Sequence, residues 1–129
     1  YGDSSGLIGL LREQILQRGS ALIEIGTPWY AASVDGRGWT VGQAERRYNF
    51  DADGCRWLDT WWPLDQPEQA VQQSTRCYSP ADLRLLVEST GLQLQHVKPG
   101  GTMDWEQRKW LPIAPLGKAL SYVAQLSLA

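Results

Sequence analysis

Apolar residues recur at helical spacing near the start of the chain and then give way to short solid runs. Leu7, Ile8, Leu11, Ile15 and Leu16, with Leu10 flanking, fall on one stripe. Ser4 or Ser5 can cap its start, and Arg18-Gly19 ends it with a cation followed by a residue suited to the left-handed region. This predicts an amphipathic helix. The run Ala21-Leu22-Ile23-Glu24-Ile25-Gly26 that follows has the length of a strand and is stopped by Thr27-Pro28. Helix, tight glycine turn and buried strand make one αβ step of a parallel sheet.

Residues 29–42 keep no period and read as a mobile loop. Beyond them, residues 46–51 and 55–62 alternate apolar and polar positions on either side of Asp53-Gly54, the pattern of a β-hairpin. Pro63 and Pro67 interrupt the alternation, and residues 71–78 return as a third antiparallel strand. The clearest local signals lie at 79–91. Ser79 stands at an N-cap, Pro80 at the first helical position, Asp82 in the first turn and Gly91 just past the end, with Leu83, Leu86 and Val87 on one face. A strand over 92–97, a turn at Pro99-Gly100-Gly101 and a closing strand over 120–128 complete the pattern, the last with Tyr122, Ala124, Leu126 and Leu128 on one face. Residues 105–117, rich in Trp and Pro, read as a loop with room for one helical turn over 104–109.

Composition narrows the function classes. At 129 residues and 43% hydrophobic, the chain has the length of one soluble domain. It divides by pattern into a helix and strand (1–28), an aromatic-rich β insert (29–78), and a helix with a closing hairpin (79–129). Twelve basic residues against fourteen acidic ones, without a basic run, disfavour nucleic acid as a partner. No apolar run approaches the roughly 20 residues needed to cross a bilayer, and the first residues lack the pattern of a signal peptide. No membrane partner and a cytoplasmic location are expected. Cys55 and Cys77 lack a CxxC spacing, so no metal site is expected; two free thiols are the plainer reading and a disulfide the other. A start at Tyr1 without methionine points to a processed product, a trimmed chain or a fragment.

The order of elements and the run Arg76-Cys77-Tyr78-Ser79-Pro80-Ala81-Asp82-Leu83, followed by Leu86 and Gly91-Leu92, resemble the carboxy-terminal half of class I S-adenosylmethionine-dependent methyltransferases. In that family a similar lead-in opens the helix before the sixth strand. The first helix and strand here look like the elements around the fifth strand, and residues 92–97 with 120–128 look like the sixth strand with its inserted antiparallel seventh. The resemblance implies an α/β fold: a partial doubly wound, Rossmann-like sheet with an antiparallel terminal hairpin and an inserted β-hairpin region. It also implies a transferase that uses S-adenosylmethionine when complete. The family's first strand and glycine-rich turn, which hold the cofactor, have no counterpart: Gly36-Arg37-Gly38 and Gly100-Gly101 read as turns. By resemblance the chain begins after the fourth strand, is truncated, and is not expected to bind the cofactor or turn over alone. A non-catalytic binding or interaction module descended from such an enzyme is the alternative.

Candidate chemistry follows from position. Open α/β sheets bind ligands at the carboxyl ends of their strands, which makes Gly26, Thr27 and Pro28 pocket candidates. The aromatic cluster of the insert, with Trp29, Tyr30, Trp39 and Tyr48, is a small core or the wall of a pocket for a flat or apolar acceptor. Arg46, Arg47 and Arg76 are solvated or contact an acidic acceptor, and Arg76 joins the substrate-binding candidates. No catalytic base stands out: His96, the one histidine, alternates with Leu94 on a predicted edge strand after the last helix, far along the sheet from the methyl donor that the resemblance implies, and Glu24 needs a partner or a solvent-facing position. The strand Ala21-Leu22-Ile23-Glu24-Ile25 would lack a neighbour, so pairing with a second copy in a homodimer, or with a missing amino-terminal half, is expected through its edge.

Overall fold

The structure, a computed structural model, describes residues 4–129; of residues 4, 5 and 7 only the backbone is described, so the expected cap at Ser4 or Ser5 and the packing of Leu7 lie outside it. The chain is a mixed α/β protein with antiparallel sheets. It divides into two compact units, one built from the segments up to Thr27 and from Tyr78 onward, the other from Pro28–Cys77.

The first unit carries helix α1 (Ser4–Arg18), strand β1 (Ala21–Gly26), helix α3 (Pro80–Glu88), and strands β6 (Leu92–Pro99) and β9 (Ser121–Leu128). Its three-stranded sheet has the order β1-β9-β6, and β9 is antiparallel to both neighbours. Strands β1 and β6 therefore run parallel to each other, with the last strand of the chain between them. Alternation along β9 buries Tyr122, Ala124 and Leu126 completely on one face, while Leu128 is 41% exposed at the end. Ile8 and Ile15 of α1, Leu83 and Val87 of α3, Ile25 of β1 and Leu92 of β6 close on these residues to form the core. Each fully buried aliphatic side chain here is worth roughly 1.5–3 kcal/mol relative to exposure. Leu16, expected on the buried stripe, is 56% exposed, because the stripe that packs runs through Ile8, Leu11 and Ile15. Leu22 and Glu24 also face outward, so the carboxylate of Glu24 has the solvent-facing position that a charged residue in an apolar strand requires.

Helix α3 is set by its caps. Ser79 in extended backbone accepts a hydrogen bond from the Asp82 amide at 3.1 Å, Pro80 occupies the first turn, and Gly91 follows the helix at φ +77°. Two further bonds tie the unit together. The Tyr122 hydroxyl donates to the Tyr78 carbonyl at 2.9 Å, and the Thr27 hydroxyl donates to the Ala119 carbonyl at 2.6 Å.

The second unit carries helix α2 (Pro28–Ser33) and a four-stranded antiparallel meander, β2 (Gly38–Val41), β3 (Ala44–Asp51), β4 (Arg56–Pro63) and β5 (Val71–Arg76), in sequential order. The expected hairpin around Asp53-Gly54 and the third antiparallel strand are both present. The mobile loop expected over 29–42 is instead α2, a turn and β2. A six-residue helix and a four-residue strand are too short to establish a period, and their order comes from packing: Tyr30, Ala31 and Val34 are buried. Residues 105–117 differ as well. Strands β7 (Thr102–Asp104) and β8 (Lys109–Leu111) form a hairpin, and Asp104 accepts from the amides of Glu106 and Gln107 at 3.1 Å each. That side-chain turn looks locally like a helical turn, which accounts for the expectation over 104–109.

Candidate functional site

The second unit gathers the aromatic residues on one face of its meander. Period-two alternation places Arg46, Tyr48 and Phe50 of β3 on the same face as Trp57, Asp59 and Trp61 of β4, and the registers Trp39↔Arg46, Arg46↔Trp61 and Phe50↔Trp57 bring β2 into line. Tyr30 of α2 stacks on Trp57 with ring centroids 5.6 Å apart; Tyr48 meets Trp57 edge-on at 4.7 Å and Trp39 edge-on at 4.6 Å. A continuous aromatic row results. Such contacts are worth about 0.5–1.5 kcal/mol each beyond their buried area, enough to order a small sheet that has few aliphatic residues.

A fixed cation sits at one end of the row. Arg46 donates from Nε to Asp59 Oδ1 at 2.9 Å and from Nη2 to Asp59 Oδ2 at 2.5 Å. Its guanidinium lies 5.9 Å from the Trp39 ring centroid, 5.6 Å from Tyr48 and 5.9 Å from Trp61. The fork geometry of arginine matches a carboxylate in this way, and a lysine would not. The hydrogen bond to Asp59 holds Arg46 more firmly protonated than usual, against the opposing effect of burial. Burial pushes the Tyr48 phenol above its ordinary value, opposed by Arg46 and reinforced by Asp59 and Tyr30.

Two shallow recesses border Arg46. One, of about 220 Å³, is lined by Val41, Ala44, Arg46 and Trp61. The other, of about 340 Å³, includes Trp39, Glu45, Arg46, Arg47 and Trp62, with the Trp62 indole donating to Glu45 at 2.7 Å. By the same alternation Glu45, Arg47 and Trp62 belong to the opposite face from Trp39, Arg46 and Trp61, so the two recesses do not form one site. The first sets apolar and aromatic side chains beside a fixed polar group, the kind of lining that small-molecule sites use.

The sequence candidates are distributed unevenly over this frame. Tyr30, Trp39 and Tyr48 meet in the aromatic row, and Trp29 lies on α2 beside Tyr30. Arg76 is on β5 opposite Arg56, and alternation from the Trp57↔Thr75 pair puts it on the other face of the sheet. Gly26 and Thr27 belong to the first unit, and Pro28 opens α2. Thr27 is completely buried and its hydroxyl is spent on the Ala119 carbonyl, so it serves as a joint of the first unit. His96 is exposed on β6, an edge strand of its sheet. Asp59 was missed by sequence reading, although Trp57-Leu58-Asp59-Thr60-Trp61 holds the signal: a carboxylate two positions from each of two tryptophans on one strand face.

Two glycines are crowded by the chain's own neighbouring strands. A Cβ on Gly101 would come within 2.3 Å of the Leu111 carbonyl oxygen and 2.7 Å of the Trp110 ring, and one on Gly38 within 3.2 Å of the Arg46 carbonyl. Their missing side chains make room for the chain itself. Among the described residues, no group of three or more His, Cys, Asp or Glu side chains could hold a metal ion, and no helix is long and apolar enough to cross a membrane.

No protein-family model and no curated protein matches the chain by sequence. Solved structures match it by fold. An S-adenosylmethionine-dependent methyltransferase from Clostridium acetobutylicum superposes with a TM-score of 0.63 at 10% identity over 98% of this chain and 52% of its own. The CcbJ methyltransferase from Streptomyces caelestis gives 0.63 at 16% identity over 95% of this chain and 48% of its own. The chain shares their fold. It spans about half the length of each.

Proposed function

We propose that this chain is the substrate-side, carboxy-terminal half of a S-adenosylmethionine-dependent methyltransferase that acts on a small molecule. The sheet order carries the reading: β9 runs antiparallel between β1 and β6, the arrangement that an inserted seventh strand between the fifth and sixth would have. The free outer edge of β1 supports a join at Ala21-Leu22-Ile23-Glu24-Ile25, either to an amino-terminal half that continues the sheet or to a second copy in a homodimer. The aromatic face around Trp39, Tyr48 and Arg46 supports an acceptor site in Pro28–Cys77. Methyl transfer by in-line displacement asks the protein chiefly for positioning and a dry pocket; the aromatic walls and the clamped guanidinium would contribute to the positioning.

S-adenosylmethionine would serve the complete enzyme. This chain by itself would not hold it, since Gly36-Arg37-Gly38 leads into β2 and Gly100-Gly101 joins β6 to β7, so neither glycine cluster opens a helix after a strand, and no catalytic step is assigned to the present residues. The coding sequence upstream of Tyr1 tests the reading. An in-frame strand followed by a glycine-rich turn and a helix is expected; a start codon adjacent to Tyr1 would replace it with a non-catalytic binding module of the same fold, a second reading favoured by the compactness of Pro28–Cys77 as a unit of its own.

A further inference from the structure

We infer that Cys55 and Cys77 form a thiol-exchange site, in which Cys55 is modified by a low-molecular-weight disulfide and then closes onto Cys77 to staple β4 to β5. Three observations carry it. The pairing of β4 with β5 ends at Arg56↔Arg76, and Cys55 and Cys77 are the residues immediately beyond that last pair. Their backbones are joined, the Cys77 amide donating to the Cys55 carbonyl at 2.9 Å, and the Cys55 Sγ lies 3.4 Å from the Cys77 carbonyl oxygen. The amide–carbonyl bond keeps the two backbones adjacent where the ladder ends, the proximity that a disulfide, spanning Cα atoms roughly 4.4–6.8 Å apart, requires.

The third observation is conformational. Cys55 sits at φ +52°, closing the turn between β3 and β4, in a region that glycine or asparagine normally fills. Gly54, one residue earlier, is not the residue at positive φ. A non-glycine residue held in this region costs free energy and persists where the site gains something from it. Asp65 and Arg108 take the same region at other turns; at Cys55 it places the thiol against the end of β5.

Exposure sets the order of events. Cys55 is half-buried and Cys77 is 1% exposed, so the external disulfide meets Cys55 first. The Cys55 thiolate attacks one sulfur of R–S–S–R, forming a mixed disulfide and releasing R–S⁻, which takes up the proton that Cys55 lost. Cys77 then gives its proton to solvent and attacks the Cys55 sulfur, the bond to R breaks, and a second R–SH leaves. The two protein thiols lose two electrons and the external disulfide gains them. Burial, reinforced by the neighbouring Cys55, pushes the Cys77 thiol up to about 11, so the second step is slow at neutral pH and the mixed disulfide accumulates before it.

Oxidised glutathione added to the intact chain provides the test, followed by mass spectrometry without reductant and by thermal unfolding. The expected result is a glutathione adduct on Cys55, replaced with time, and faster at alkaline pH, by a monomer lacking two hydrogens. Closing a loop of this length raises the unfolding midpoint by about 10 °C over the reduced form. Cys77→Ala and Cys77→Ser keep the adduct and lose both the closure and the midpoint shift. Cys55→Gly, which suits the backbone, folds as well as the parent and takes up no glutathione at Cys77. Two thiols still fully titratable after equilibration, or only intermolecular disulfides, would overturn the inference.

Discussion

Replacing Arg46 by alanine should destabilise the second unit by about 2 kcal/mol, a figure that follows from how Asp59 is placed. An ion pair between fully exposed side chains contributes about 0–1 kcal/mol, and stranding a fully buried charge costs about 3–5 kcal/mol. The pair lies between these limits, since the Asp59 side chain is 14% exposed and that of Arg46 is 41% exposed. Losing Arg46 removes both bonds to a carboxylate largely out of water. Its cation–ring contacts with Trp39, Tyr48 and Trp61, all near 6 Å and partly solvated, add about 0.5 kcal/mol at the low end of their range. Urea unfolding followed by tryptophan fluorescence gives the loss as a shift in midpoint at constant slope. Arg46→Lys should recover less than half of it, because an ammonium cannot fill the two-pronged geometry. A double-mutant cycle with Asp59→Ala should return a coupling of about 1–2 kcal/mol that falls only modestly in 1 M salt. A coupling below about 0.3 kcal/mol, or full recovery with lysine, would mean that Arg46 is a solvated surface charge and would refute the fixed-cation account.

Thr27→Val keeps the shape of a completely buried residue but strands the Ala119 carbonyl; a loss of about 1–3 kcal/mol in the urea midpoint is expected, with Thr27→Ser retaining most of the stability. Gly101→Ala should be worse tolerated than alanine at Gly117, where a Cβ meets nothing within 4 Å; side-by-side thermal melts compare them. Stability should also fall at alkaline pH. Both Tyr48 and Cys77 are raised in the folded state, Cys77 from an ordinary value near 9 to about 11. The folded protein therefore holds these protons more tightly, and their contribution is complete below the unfolded values and lost as pH climbs through the folded ones. Melting temperatures between about pH 8 and 11 should drop less steeply in Tyr48→Phe and Cys77→Ala.

What could be read from the sequence was what is locally encoded. Helix α3 announces itself because Ser79, Pro80, Asp82 and Gly91 act within one or two turns of their own position. The hairpin of β3 and β4 and the inward face of β9 are likewise visible in period-two alternation. The loop expected over 29–42 and the helical turn expected over 104–109 failed where elements have three to six residues and owe their order to contacts distant in sequence, as when Asp35 accepts from the Phe50 amide. The candidate site was half legible for the same reason. Tyr30, Trp39 and Tyr48 stood out by composition, whereas the Arg46 and Asp59 partnership depends on a register that only the folded sheet defines. Thr27 looked available at a strand end and is consumed by a carbonyl 92 positions away.

Calorimetric titration of the isolated chain with S-adenosylmethionine tests the central claim most directly. If the chain is the acceptor-side half and lacks the strand, glycine-rich turn and helix that hold the cofactor, it should show no saturable heat up to about millimolar ligand, corresponding to less than roughly 4 kcal/mol of binding free energy. Micromolar, one-to-one binding by this chain alone would contradict the account and place the cofactor site within these residues.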